Sequence, residues 1–136
     1  MRTVEASRFV GAPPDAVERA LTPRRIVEYE GSFSVREVEE RDGETIVAAG
    51  GPGLELALRF EARERGYEYE QLGADGPLDA METTLTYEPE NEGTRMRASS
   101  SVSLGAPPAA IADRIAGWKR RGELDRLLDA LADDVE

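Results

Sequence analysis

The feature that most constrains this chain is that its helical signals lie only at its two ends. Thr3 to Val10 reads as a strand and runs into Ala12-Pro13-Pro14-Asp15, where a short helical pattern begins. The middle is a long series of strands with no second helical signal, and the segment from Pro107 to the terminus is one amphipathic stretch. Consecutive strands joined by tight turns pair as antiparallel neighbours. A sheet built that way buries one face, and the terminal helix is the element long enough to cover it. The expected fold class is therefore α+β: a curved antiparallel sheet, two short helices and a long C-terminal helix. At 136 residues, with no internal repeat and no dividing linker, a single domain over residues 1–136 is expected. A concave sheet closed by one helix tends to enclose a cavity.

Local signals set the element boundaries. Proline cannot donate to a ladder, so Gly11-Ala12-Pro13-Pro14 must end the first strand. Pro14 suits a first helical turn, and Asp15 places negative charge near the helix N-terminus. Ala16, Val17, Ala20 and Leu21 give that helix one apolar face. Thr22 is the expected N-cap of a second short helix, with Pro23 at its first position. From Ser32 the period changes to two. Phe33 and Val35 share a face, and Arg41-Asp42-Gly43-Glu44 reads as a hairpin turn. After the loop Gly50-Gly51-Pro52-Gly53, the residues Leu54, Leu56, Leu58, Phe60 and Ala62 alternate with Glu55, Ala57, Arg59, Glu61 and Arg63. This is the cleanest half-buried strand in the chain. Further strands follow Gly66, the break at Asp75-Gly76-Pro77, and the turn at Pro89 to Gly93. Their inward faces are Tyr67, Tyr69 and Gln71; Met81, Thr83, Leu85 and Tyr87; and Met96, Ala98, Ser100, Val102 and Leu104.

The last segment carries two apolar stripes. Ile111, Ile115 and Trp118 fall in one, and Leu124, Leu127, Leu128 and Leu131 fall nearly opposite, at about 100° per residue. Gly117 and Gly122 lie near the switch, and glycine weakens a helix by about 1 kcal/mol relative to alanine. The pattern predicts a bend or break between Gly117 and Leu124. The alternative is a straight helix with its second stripe covered by a partner chain, which would make the protein a homodimer.

Composition narrows the chemistry. The chain has no cysteine and no histidine, which removes thiol catalysis, histidine triads and Cys/His zinc sites. No Asp/Glu loop has the spacing of a calcium loop. No metal and no cofactor are expected. The net charge of −11 repels nucleic acid. No stretch approaches the roughly 18 apolar residues of a membrane span, and the N-terminus lacks a signal-peptide core, so a cytoplasmic location is expected. The densest basic run, Lys119-Arg120-Arg121, reads as a solvated helix face. Lys119 is the only lysine among 17 basic residues against 28 acidic ones. That balance reads as salt adaptation, with high salt screening the self-repulsion; a genome that favours arginine codons is the alternative.

The order of elements, with Phe9-Val10-Gly11-Ala12-Pro13-Pro14-Asp15-Ala16-Val17, resembles the START-like or SRPBCC superfamily, which includes pollen-allergen-like proteins, polyketide cyclases and lipid carriers. The resemblance implies a helix-grip fold over essentially the whole chain. Tyr69-Glu70-Gln71-Leu72, Gly76-Pro77-Leu78, Met81-Glu82-Thr83 and Tyr87 are similar to the late hairpin of the coenzyme-Q-binding and polyketide-cyclase branch. Leu78 stands where that branch carries an aromatic residue, and Leu85 stands at about its tryptophan position. Gly93-Thr94-Arg95 is similar to the family's final turn.

The expected function is to bind or carry a small hydrophobic molecule, lipid, isoprenoid or polyketide-like, in an internal cavity. Phe33, Val35, Leu56, Leu58, Phe60, Met81, Leu85, Met96 and Trp118 are its expected lining, with Tyr29, Tyr67 and Tyr69 offering hydroxyls to a ligand. Ala62, Ala98 and Ser100 are small inward residues that would leave the space partly open. Arg36 and Arg59 are candidates to neutralise an anionic ligand, or else strand-face residues paired with Glu. A cyclase or dehydratase using the same cavity is one alternative, with a tyrosine, a carboxylate or water as its base. A module that docks a protein partner through the leucine stripe is the other. Salt adaptation has a direct consequence. The melting temperature is expected to fall as sodium chloride is lowered from molar to millimolar concentration; an unchanged value would remove that reading.

Overall fold

The computed structural model describes residues 1–73 and 78–136, so the expected break at Asp75-Gly76-Pro77 lies outside the described residues. Among the described residues there are seven strands: β1 (Arg2–Val10), β2 (Ser34–Arg41), β3 (Glu44–Gly51), β4 (Leu54–Arg63), β5 (Gly66–Leu72), β6 (Ala80–Glu90) and β7 (Gly93–Ser103). Helices α1 (Pro14–Ala20) and α2 (Pro23–Glu30) follow β1, and α3 (Ala109–Val135) closes the chain. The strands form one antiparallel sheet in the order β1-β7-β6-β5-β4-β3-β2, so the first strand joins the last and every other neighbour is a hairpin partner. This is the helix-grip arrangement, with both short helices and α3 on the concave side.

The turns have the expected chemistry. Asp42 and Gly43 take φ of 45° and 82°, the paired positive values of a tight hairpin. Asn91 and Glu92, at 46° and 64°, turn β6 into β7, so β6 runs through Pro89 to Glu90. Thr22 caps α2, its hydroxyl accepting from the Arg25 backbone N–H at 3.2 Å. Gly66, at φ 143°, meets β6 so closely that a Cβ would lie 1.8 Å from the Leu85 carbonyl oxygen. Only glycine lets β5 begin there.

Register aligns the inner face into rows. Phe60, Tyr69, Thr83 and Ser100 are successive cross-strand partners on β4, β5, β6 and β7. All four are buried. Phe60 stacks on Tyr69 with ring centroids 4.5 Å apart. Leu85, Met96 and Ala98 are buried in the main core. The alternation of β4 holds in its middle and frays at its ends: Leu58 and Phe60 are buried, whereas Leu54 and Ala62 are exposed. Ala62 therefore does not shape the interior.

The expected break in α3 does not occur. The helix is unbroken from Ala109 to Val135, and its buried face runs Ala112, Asp113, Ala116, Gly117, Arg120, Glu123, Leu124, Leu127, Leu128, Leu131 and Ala132. These recur at intervals of one, three and four residues, which is one continuous helical face. Gly117 is a contact residue: a Cβ there would lie 2.7 Å from Cγ of Arg2, so glycine lets α3 approach β1. The intrinsic helix cost of glycine is small beside packing along a helix this long. The other stripe is the exposed one, with Ile111, Ile115 and Trp118 at 59%, 57% and 81% exposure. The leucines are covered by this chain's own sheet and short helices. Neither a partner-docking role nor a homodimer follows from them.

Truncating this packed face should be costly. Leu127 has no exposed surface. Leu127→Ala is expected to lower unfolding free energy by about 2–5 kcal/mol, read from urea midpoints at constant slope. A loss well under 1 kcal/mol would contradict the packing described.

Candidate functional site

The inner face of the sheet and α3 do not meet everywhere. Between α2, β4, β6 and the first half of α3 lies a cavity of about 120 Å³. Its apolar wall includes Val27, Phe33, Leu56, Leu58, Leu78, Met81, Leu104 and Ala116. Its polar groups are Glu30, Ser32, Gln71, Arg120 and Glu123, and the exposed residues Ile115 and Lys119 stand at its rim. A larger, shallow hollow of about 280 Å³ on the outer face of β4 to β7 is lined by Arg59, Glu61, Glu68, Glu70, Glu82 and neighbouring hydroxyls. That hollow is wet and charged, and apolar burial there is slight.

The polar end of the cavity is built around Arg120, which is 2% exposed. Its Nη1 donates to Glu30 Oε1 at 2.8 Å and to Glu123 Oε1 at 3.1 Å. Its Nη2 donates to Glu30 Oε2 at 3.1 Å, Tyr69 Oη at 3.1 Å and Thr83 Oγ1 at 2.8 Å. Its Nε donates to Ser100 Oγ at 2.9 Å. The Tyr69 hydroxyl also donates to Glu30, and Thr83 and Ser100 bond each other at 2.8 Å. The row Tyr69, Thr83 and Ser100, set by strand register, thus receives one side chain from α3 and one from the end of α2.

The electrostatics follow from burial. Burial alone would lower the Arg120 pKa, but the charge of Glu30 and further bonded neighbours outweigh it and hold the pKa well above the usual arginine value. Burial pushes the Tyr69 hydroxyl well above its ordinary range, and Glu30 adds to this, so Tyr69 stays a neutral donor. A charged guanidinium this deep requires its carboxylate partners, and the fork-to-fork contact with Glu30 supplies the best geometry.

The sequence-predicted residues divide into groups. Phe33, Leu56, Leu58 and Met81 line the cavity. Tyr69 belongs to the Arg120 cluster behind it. Phe60, Leu85 and Met96 are core, and Val35 is half-buried beside it. Tyr67 packs edge-on against Phe60 at 6.1 Å and lines a separate small hollow with Tyr87. Tyr29 is not at the cavity. Its hydroxyl donates to Asp134 at 2.5 Å, tying α2 to the end of α3, and burial followed by Asp134 pushes its pKa up to about 12. Trp118 lies on the exposed face of α3, because the helix continues unbroken and presents its other side to the sheet. Arg59 pairs with Glu70, and Arg36 lies on the exposed side of β2.

Sequence reasoning misses Arg120, Glu123 and Glu30, and groups Arg120 with Lys119 and Arg121 as solvated. The signal is present in the spacing, because Arg120 precedes Leu124, Leu127 and Leu131 by four, seven and eleven residues and so continues their face. Among the described residues, no group of three or more acidic side chains is placed to hold a metal ion, and no helix is long and apolar enough to cross a membrane.

A model of the family described as polyketide cyclase / dehydrase and lipid transport matches residues 1–136. No curated protein matches the sequence. Among solved structures, a protein of Thermus thermophilus is 23% identical with a TM-score of 0.76, over 98% of this chain and 97% of its own. The Zhui aromatase/cyclase of a Streptomyces species is 18% identical with a TM-score of 0.72, over 99% and 96%. A Chromobacterium violaceum protein is 23% identical with a TM-score of 0.65, over 100% and 99%. Identities this low show a shared fold and nothing further.

The ion cluster makes its own prediction. Arg120→Met strands Glu30 and Glu123 in a buried site and is expected to cost about 3–5 kcal/mol in urea unfolding. Replacing all three charges together (Glu30→Leu, Arg120→Met, Glu123→Leu) is expected to recover most of that loss. A single variant within about 1 kcal/mol of the parent would show that the cluster is not buried as described.

Proposed function

Because the chain belongs to the polyketide cyclase / dehydrase and lipid transport family, we propose that it binds a small, mainly apolar molecule in the cavity between α2, β4, β6 and α3. The observation that carries this reading is an apolar-walled space that ends on a fixed polar cluster. Apolar burial would supply most of the affinity, at about 25 cal/mol per Å², and the polar end would set orientation. Such a division of labour suits holding or carrying a lipid, isoprenoid or polyketide-like molecule, with any long tail extending past Ile115 and Lys119 at the rim.

A cyclase or dehydratase is the second reading. The printed description of the Streptomyces neighbour as an aromatase/cyclase supports it, as does one local observation. Both oxygens of Glu30 are engaged by Arg120, but only one oxygen of Glu123 is. Glu123 is the group placed to take a proton from a bound molecule. A binding role asks nothing more of it than an acceptor. The net charge of −11 supports a protein that acts on small molecules and not on nucleic acid, and the scarcity of lysine supports a salt-rich setting.

Native mass spectrometry of protein purified in high salt tests the binding reading. The expected result is a stoichiometric added mass, released on denaturation as an apolar small molecule. Ala116→Leu, which fills the cavity wall, is expected to lose that mass while remaining folded. Protein that is empty and takes up nothing from an apolar extract would contradict the proposal.

A further inference from the structure

We infer that the cavity's ligand presents a hydrogen-bond donor, neutral or cationic, on a body of about one ring, and that the polar end of the cavity selects against carboxylates; this rests on the binding reading above. Donors at the buried end are almost all in use. Arg120 directs Nε, Nη1 and Nη2 to six contacts, so its N–H groups are spent on Ser100, Glu30, Glu123, Tyr69 and Thr83. The Tyr69 hydroxyl donates to Glu30. The Gln71 amide donates to the Leu78 and Gly73 carbonyls at 2.7 and 3.2 Å. The half-buried Ser32 hydroxyl, which accepts from Arg126 at 3.3 Å, is a neutral group and cannot balance an anion's charge.

Acceptors are in surplus. Glu123 lines the cavity, is 7% exposed, and spends only Oε1; its Oε2 has no partner among the described residues. Two carboxylates stand against one guanidinium, so the formal charge of the cluster is negative by one. Arg8 Nε is the one fully buried side-chain nitrogen or oxygen without a partner among the described residues, so Oε2 of Glu123 keeps a small contact with solvent, and a ligand that donates to it takes the place of solvent at a charged acceptor. A ligand carboxylate placed there adds like-charge repulsion in a poorly screened site. Among the described residues that line the cavity, Lys119 is the one cation outside the cluster, and it is exposed, so water competes with any anion it meets. Size limits the body. A cavity of about 120 Å³ is slightly below the roughly 150 Å³ that accommodates benzene in an engineered core.

The test uses four probes that share one ring: toluene, benzyl alcohol, benzylamine and benzoate, titrated by calorimetry into the full-length protein, with the Met81 methyl resonance reporting the site. The expected result is binding of the alcohol and the amine at least about ten-fold tighter than toluene or benzoate. Glu123→Ala is expected to reduce the donor probes to the level of toluene. Glu123→Gln, which keeps the shape and removes the charge, is expected to keep the alcohol, weaken the amine and admit benzoate. Benzoate matching benzyl alcohol in the parent, or a preference unaltered by either variant, would overturn the inference. Toluene binding as tightly as the alcohol would overturn it while leaving the binding reading intact. No response from any probe would count against both.

Discussion

The structure depends on one buried guanidinium. Among the described residues, Arg120 alone bonds at once to the end of α2, to a neighbour on its own helix and to three adjacent strands. It therefore fixes where α3 crosses the sheet and how near α2 can come. A charge in that position is tolerated only because Glu30 and Glu123 accompany it and because strand register delivers Tyr69, Thr83 and Ser100 as a row of hydroxyls. Purely apolar side chains could close onto one another there. A guanidinium whose N–H groups are all bonded has fixed geometry and leaves the neighbouring space between Phe33, Leu58 and Met81 unfilled.

The two halves of α3 do different work. Leu124, Leu127, Leu128 and Leu131 fill the deep end against the sheet and the short helices. Toward the N-terminus the buried face turns to Ala112, Ala116 and Gly117, small residues that bring the helix close to β1 and leave room beside it. The outward side changes as well. Arg114, Lys119 and Arg121 flank the exposed Ile111, Ile115 and Trp118, whereas Asp125, Asp129, Asp133 and Asp134 occupy the exposed side of the later turns. Of these, Ile115 and Lys119 stand at the cavity rim, one apolar side chain and one cation on a chain of net charge −11.

Much of this was legible in the sequence. Alternation in β4, proline and glycine at the strand ends, and the Thr22-Pro23 cap carried the order of elements, and the segment Phe9 to Val17 carried the family. The site was only half legible. Phe33, Leu56, Leu58 and Met81 line the cavity because strand periodicity fixes which side chains point inward. Hydrophobicity misled where a polar residue is core. A stripe drawn through Ile111, Ile115 and Trp118 is apolar and exposed, while the face containing Asp113, Arg120 and Glu123 is charged and buried. No local pattern distinguishes a buried arginine from a wet one, because its partners Glu30 and Tyr69 lie 90 and 51 residues away. Only the continuation of the leucine spacing pointed to it.

The measurement that tests the central claim most directly is a crystal structure with bound 4-bromobenzyl alcohol, using bromine anomalous scattering to locate the ring. The account predicts the hydroxyl within hydrogen-bond distance of Glu123, the ring between Phe33, Leu58 and Met81, a bromine peak toward the rim at Ile115 and Lys119, and the Arg120 contacts unchanged. A ring bound on the outer face of the sheet, or a hydroxyl directed to the rim with Glu123 untouched, would contradict it.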